Sequence, residues 1–327
     1  MRLQLHQVPF VRKVYEQSKQ IIMKLIAPKF EIVEQAPGME GMLKHIERCG
    51  RVCYKSEDKI TEDSAEKFVE RMKTSQHLSV LEHGAVYLKI GRMEIFSLLD
   101  VGVNISDLFN SGYTRFSLDD SFYYVSTNLR VIEECGANRI LKHQCEPTEF
   151  HEKRVTVKFT TDIGVSREFN RHRVNSVTEQ STRYCNFSKN KFGNEISVVP
   201  PKWLRDDNPG DELYAYGESV AESCMYVFAE DIVNGNEGEL TEFEVWLFAN
   251  LASEWAYNKL TQRFGRSAQD ARSVLPLDTQ TELYHTAFVS DWRHFFELRT
   301  DCHAHPMARE LAIPLREEFV KRGLIKE

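Results

Sequence analysis

Residues 154–184 read RVTVKFTTDIGVSREFNRHRVNSVTEQSTRY, and this stretch decides the fold. Val155, Val157 and Phe159 alternate with polar neighbours, the period of a strand with one buried face. The chain then turns at 162–164 into SREFNRHRVNS, a helix start or a structured loop. Arg167, Arg171, Arg173 and Arg183 place four cations in this one segment of a protein whose formal net charge is −7. Arginine's planar fork matches phosphate oxygens in pairs, and Ser181 with Thr182 adds hydroxyl and backbone donors for the same anion. A solvated basic helix face is the competing reading of an RHR triplet taken alone.

Upstream, KFEIVEQ is strand-like, and TEDSAEKFVERMK opens with capping residues ahead of Ala65, Phe68, Val69 and Met72, which predicts a helix. HLSVLEHG then leads into the β-rich GAVYLKIG. From about 94 to 152 the pattern is mixed, with helix-like EIFSLLD and aromatic SFYYVSTNLRVI, and reads as an insertion forming an ordered subdomain. Downstream, DELYAYGESVAESCMYVFAEDIV and TEFEVWLFANLASEWAYNKLTQRF carry long helical patterns. Pro276 and Pro306 break the closing segment. These signals predict an α+β fold, a small antiparallel sheet covered by long helices. Residues 1–23 read as an N-terminal extension ending at a second methionine, Met23, and 24–327 as a single domain carrying the inserted subdomain.

Composition narrows the function. With 42% hydrophobic and 28% charged residues the chain reads as a globular protein. No stretch approaches the roughly 20 consecutive apolar residues of a membrane helix, and no signal-peptide pattern opens the chain, so a cytoplasmic location without membrane association is expected. The acidic balance argues against nucleic-acid binding through phosphates, which needs a basic face. Seven cysteines, none in a CxxC pair, suggest reduced and mostly buried thiols rather than disulfides or a zinc site. GxGxxG, GxxxxGK and HExxH are all absent.

RHR followed by seven residues and a serine, here RHRVNSVTEQS and continuing to EQSTRY, resembles the signature of flavin-dependent thymidylate synthases. The resemblance implies that Arg171, His172, Arg173 and Val174 contact a flavin, and that Glu179, Ser181, Thr182 and Arg183 hold dUMP. HLSVLEH is similar to the family's histidine-containing loop and would bring His77, Ser79 and Glu82 to the flavin. ARSVLPL and FFELRTDCHAHPMARELA resemble the family's C-terminal half. There Arg272 and Arg299 match arginines placed on the nucleotide, Arg299 near the uracil carbonyls, where a cation would stabilise developing negative charge.

Several positions depart from common members. Glu168 stands where some have a glutamine near the nucleotide, Phe288 and Ser290 where some have asparagine and arginine for the flavin, and Thr182 replaces a frequent glycine. Cys53 stands where some carry serine, and His294 stands where it would take over a flavin contact from an asparagine.

The resemblance implies methylation of dUMP to dTMP, with methylene-tetrahydrofolate as one-carbon donor and FAD reduced by NADPH. It also implies the family's fold, with the insertion between the first core strands, and a homotetramer with FAD between subunits. AVYLKI and VTVKFTT would be neighbouring strands. The resemblance further implies Ser181 and Arg299 as the catalytic-centre residues, Ser181 as a nucleotide-binding hydroxyl, and no PCH string marks a cysteine nucleophile. Two other classes stay open: a nucleotide- or RNA-binding protein stacking bases on Phe122, Tyr123 and Tyr124, and a metal-dependent hydrolase using His77, His83, His303 and His305.

Overall fold

The computed structural model describes residues 23–95, 105–192, 195–207, 231, 233–235 and 240–326. The extension ahead of Met23, most of EIFSLLD and nearly all of the helical pattern from 211 to 233 lie outside the described residues. The strands are β1 (Lys24–Leu25), β2 (Lys29–Val33), β3 (Ala85–Gly91), β4 (Arg115–Leu118), β5 (Phe122–Asn128), β6 (Arg154–Asp162), β7 (Ser176–Glu179), β8 (Ser197–Val198) and β9 (Gln280–Phe288). The helices used below are α1 (Gly38–Arg51), α2 (Ser64–Thr74), α3 (Ile105–Asn110), α4 (Leu129–Glu134), α5 (Ile163–Phe169), α6 (Lys202–Asp207), α7 (Glu242–Asn258), α8 (Ala268–Ala271), α9 (Val289–Arg299) and α10 (Pro306–Lys321). Helix and sheet are mixed, and the pairings β2–β6, β7–β9, β3–β5 and β4–β5 are antiparallel.

The chain divides into two compact units, a smaller one of Met1–Pro28, Thr161–Ser166 and Ser181–Thr281, and a larger one of Lys29–Thr160, Arg167–Gln180 and Glu282–Glu327. The larger unit holds a four-stranded sheet ordered β2-β6-β9-β7 and a three-stranded sheet ordered β3-β5-β4. Val157 and Phe159 of β6 are fully buried, and the Phe159 ring meets Phe169, Trp292 and Phe295. This aromatic layer seats α9 on the sheet.

AVYLKI and VTVKFTT do not pair. β3 takes β5 as its partner, in register from Ala85↔Asn128 to Gly91↔Phe122, and β6 pairs with β2. The physical reason is that FYYVSTN is itself a strand with a fully buried Val125. Ile105, Leu108, Val125, Leu129, Val131, Ile132 and Ile140 share one core cluster with Met42, Ile46, Phe68, Leu81, Val86 and Leu88. The segment from 94 to 152 therefore contributes to a core built also from residues upstream of it. Tyr124 is buried, with its hydroxyl donating to Asp119 at 2.8 Å, so it is packed rather than presented for stacking.

A buried hydrogen-bonded chain fixes the strand-like and helical parts of this unit to one another. His45 Nε2 lies 2.9 Å from Thr156 Oγ1, Thr156 Oγ1 2.7 Å from Thr286 Oγ1, Thr286 Oγ1 2.7 Å from His83 Nδ1, and His83 Nε2 2.7 Å from Thr178 Oγ1. The His45 ring also bonds the Glu34 backbone, whose carbonyl only accepts. His45 is thus the Nδ1–H tautomer, Thr156 donates to its Nε2, Thr286 donates to Thr156, His83 Nδ1–H donates to Thr286, and Thr178 donates to His83 Nε2. With both ring nitrogens of His83 engaged, His83 drops out of the metal-ligand reading.

In the smaller unit β1 and β8 pair in parallel, and Met23, Leu25, Ile196, Val198, Leu247, Leu251 and Tyr257 form the core. α7 starts at a capping box in which Thr241 and Glu244 satisfy each other's backbone N–H groups. Inside it Glu254 is fully buried, one carboxyl oxygen accepting the Ile196 N–H at 2.7 Å and the other without a partner among the described residues. Among the described cysteines Cys49 and Cys185 are buried, but Cys53, Cys135 and Cys145 are half-buried and Cys302 is exposed, so the expectation of mostly buried thiols is corrected. The cause is position: Cys302 follows the C-terminus of α9, in an exposed turn. Among the described residues no helix is long and apolar enough to cross a membrane.

Two stability profiles follow. Burial, with nearby Arg48 and Arg154, lowers His45 to about 4, and burial lowers His83 well below its ordinary value. Both are neutral in the folded state and take up protons on unfolding, so stability is fully present above about 6.5 and falls as pH drops toward 4. His45 alone withdraws on the order of 3 kcal/mol over that window. Urea midpoints measured from pH 7 to pH 4 should fall steeply, and a flat profile would show that these rings accept protons within the fold. Glu254 has the opposite sign: burial pushes it up to about 7, so the folded state holds its proton longer, and stability falls as pH rises from about 4.5 through 7. Glu254→Gln should remove that loss, read as a gain in melting temperature at pH 8 that vanishes at pH 5.

Candidate functional site

EQSTRY folds in two parts. In the smaller unit, Ser181–Cys185 forms a turn in which the Tyr184 and Cys185 N–H groups donate to the Ser181 carbonyl at 3.2 and 2.9 Å. The Arg183 N–H approaches Ser181 Oγ at 3.3 Å, and Arg183 Nε donates to Gln269 Oε1 at 2.9 Å. The Arg183 guanidinium also lies 5.4 Å from the Tyr184 ring centroid. From the end of α8, Arg272 Nη1 reaches Thr182 Oγ1 at 3.3 Å. Two exposed guanidinium groups and two half-buried hydroxyls therefore gather within one turn and the helix end beside it. These donors suit a phosphate, which accepts from several directions at once. Sequence reading identified Ser181, Thr182, Arg183 and Arg272 but missed Gln269, which orients Arg183 from 86 positions away and carries no local signal.

Asp162 Oδ1 caps the Val165 N–H at 2.8 Å, so the expected turn is the start of α5, and RHR, in the larger unit, lies in the loop beyond its end. Arg299, from the last turn of α9, is nearly buried and held on three sides. Its Nε donates to His172 Nε2 at 3.0 Å, Nη1 to Glu168 Oε2 at 2.7 Å, and Nη2 to the Glu168 carbonyl at 2.5 Å. His172 is the buried middle of RHR, whereas Arg171, Arg173 and Val174 are exposed. Burial, Arg299 and His294 lower His172 to about 4, so it is neutral and free to accept the Arg299 N–H. Glu179, at the end of β7, accepts from Asn170 Nδ2 at 3.0 Å.

The 3₁₀ helix Leu78–His83 leaves His77 and Ser79 exposed and turns Glu82 inward. Glu82 Oε1 accepts from Arg130 Nη1 at 2.5 Å. His294 is exposed beside Glu297 at 3.4 Å. Burial and Glu179 push the Cys53 thiol up to about 11, so it is protonated and no nucleophile. Asp301, Cys302 and His303 offer ligand atoms within 4.8 Å of one another, all exposed. A cavity of about 490 Å³ in the larger unit is lined by Gln35, His45, Tyr87, Arg154 and Arg322 among others, and by none of the residues expected at the site. Much of its hydrogen-bonding capacity is already paired internally: Gln35 bonds both the N–H and the carbonyl of Ala85, and Arg322 pairs with Glu34 and Glu318.

The Arg299 clamp sets a stability prediction. His172→Phe leaves the Arg299 Nε–H without an acceptor, at a cost of about 1.5–3 kcal/mol for a charged hydrogen bond. Urea unfolding at pH 7 checks it; an unchanged midpoint would mean that Arg299 finds a replacement acceptor.

The family model described as thymidylate synthase complementing protein matches residues 124–322. The flavin-dependent thymidylate synthase of Mycobacterium sp. (strain JLS) is 30% identical over 196 residues, 59% of this chain and 65% of the relative. That of Synechocystis sp. is 40% identical over 135 residues, 38% of this chain and 62% of the relative. A probable flavin-dependent thymidylate synthase of Paramecium bursaria Chlorella virus 1 is 37% identical over 167 residues, 51% of this chain and 66% of the relative. Each match thus spans somewhat less than two thirds of the curated relative. Among solved structures, the UMP/dUMP methylase PolB from Streptomyces cacaoi bound with 5-Br dUMP shares 16% identity at a TM-score of 0.36, covering 91% of this chain and 93% of that chain. Since the family model spans well over half of its residues, the chain belongs to the thymidylate synthase complementing protein family.

Proposed function

We propose that this chain is a flavin-dependent thymidylate synthase that methylates dUMP to dTMP. The observation that carries the reading is the convergence of Arg183 and Arg272 on the Ser181–Thr182 turn, a donor set suited to the dUMP phosphate. Arg299 is the cation assigned to the uracil carbonyls. Its orientation is already set by His172 and Glu168, so reorganisation at the moment of reaction is small. Glu168 and Glu179 complete the nucleotide-binding set, and Ser181 acts as a binding hydroxyl.

The residues assigned to FAD fit a dinucleotide by donor chemistry. Arg171 and Arg173 are exposed cations on one loop with Val174, and His77, Ser79, Glu82 and His294 offer hydrogen-bonding groups of both kinds. Bound reduced flavin supplies hydride, with NADPH as its reductant and methylene-tetrahydrofolate as the one-carbon source. The chain's own part is to hold the nucleotide by its phosphate, polarise the ring through Arg299, and fix the carboxylates. A homotetramer is the expected assembly.

Anaerobic turnover with FAD, NADPH, methylene-tetrahydrofolate and dUMP, omitting each in turn and following dTMP, tests the reaction. Product that forms without flavin, or no product with flavin bound and reduced, would overturn it. Arg183→Ala should weaken dUMP binding by about 1.5–3 kcal/mol, roughly ten- to a hundredfold. Arg299→Ala should lower kcat more than it raises the dUMP dissociation constant, and a loss confined to binding would make Arg299 a passive contact.

A further inference from the structure

Glu82 is the only buried member of the trio His77, Ser79 and Glu82, and its partner comes from the segment 94–152, read from the sequence as an inserted subdomain. Arg130 stands in the first turn of α4 and donates through Nη1 to Glu82 Oε1 at 2.5 Å and through Nε to Glu134 Oε1 at 2.8 Å. The helix that carries it is fixed on all sides. Asn128 Oδ1 caps the Val131 N–H at 3.1 Å, the Leu129 N–H donates to the Gly84 carbonyl at 3.0 Å, Glu133 pairs with Lys73 of α2, and Val131 and Ile132 are in the core. Arg130 is thus held by Glu134 on one side and delivered to Glu82 on the other.

Glu82 Oε2 has no partner among the described residues and is not sealed from solvent. One oxygen is fixed by an arginine and the other is left to accept. We propose that Arg130 is a positioning residue that aims Glu82 at the flavin, so that the cofactor meets this carboxylate through an N–H or O–H donor, such as the isoalloxazine imide or a ribityl hydroxyl. The inference rests on the flavin reading of the 77–82 patch. Its chemical basis is that an ionised carboxylate only accepts, and that a fixed carboxylate binds a donor without first losing side-chain freedom.

The test is a double-mutant cycle on FAD affinity, read by flavin fluorescence on the full chain. Arg130→Met should weaken FAD binding about tenfold, Arg130→Lys should restore part of the loss, and Arg130→Met should add little once Glu82→Gln is present. Where Arg130→Met does not fold, the cycle is run with Arg130→Lys. Losses that simply add, or an Arg130 variant that binds FAD like the wild type while Glu82→Gln does not, would overturn the positioning role. A wild-type chain that binds no FAD would instead remove the flavin reading itself.

Discussion

The larger unit depends on the hydrogen-bonded chain running from His45 through Thr156, Thr286 and His83 to Thr178. It joins α1, β6, β9, the 3₁₀ helix Leu78–His83 and β7, and all five of its residues are buried. Buried polar groups of this kind are costly when unpaired, so the chain specifies one arrangement of these elements rather than merely adding attraction. Glu82 immediately precedes His83 and Glu179 immediately follows Thr178. Two carboxylates expected to face ligands therefore extend from His83 and Thr178, the last two links of this buried frame.

Elements set by local periodicity were legible in the sequence. The alternation Val155, Val157, Phe159 marked β6, the capping residues before Ala65 marked α2, and the pattern from 241 onward marked α7. Pairing was not legible, because a strand's own pattern says which face is buried but not which neighbour it takes. GAVYLKIG was readable as a strand, yet its partner inside the mixed segment depended on a register that only the folded core enforces. The start of α5 was read as a turn because Asp162 serves equally as a turn residue and as a helix cap.

The site residues divide along the same line. The cluster of arginines stands out against the net negative charge, and RHRVNSVTEQS carries its resemblance in contiguous residues. What contiguous residues do not carry is the shell that orients them. Gln269 on Arg183, Asn170 on Glu179 and Arg130 on Glu82 are partners supplied by the fold. His172 is a case between the two: the motif marks it, but its burial beneath Arg299 follows from the placement of α9 on the aromatic layer.

The one-way order of donors in the buried chain has a consequence for how this protein tolerates change over generations. Threonine and valine nearly share a shape, so a valine at 156, 178 or 286 would fit the space while removing one link, and each neighbour would keep a donor or an acceptor with nothing opposite it. Replacing Thr156 and Thr286 together orphans only His45 Nε2 and His83 Nδ1–H, no more groups than either replacement alone. Substitutions at these three threonines, and at His45 and His83, should therefore be strongly epistatic, tolerated in sets and purged singly, although the positions are scattered along more than two hundred residues of sequence.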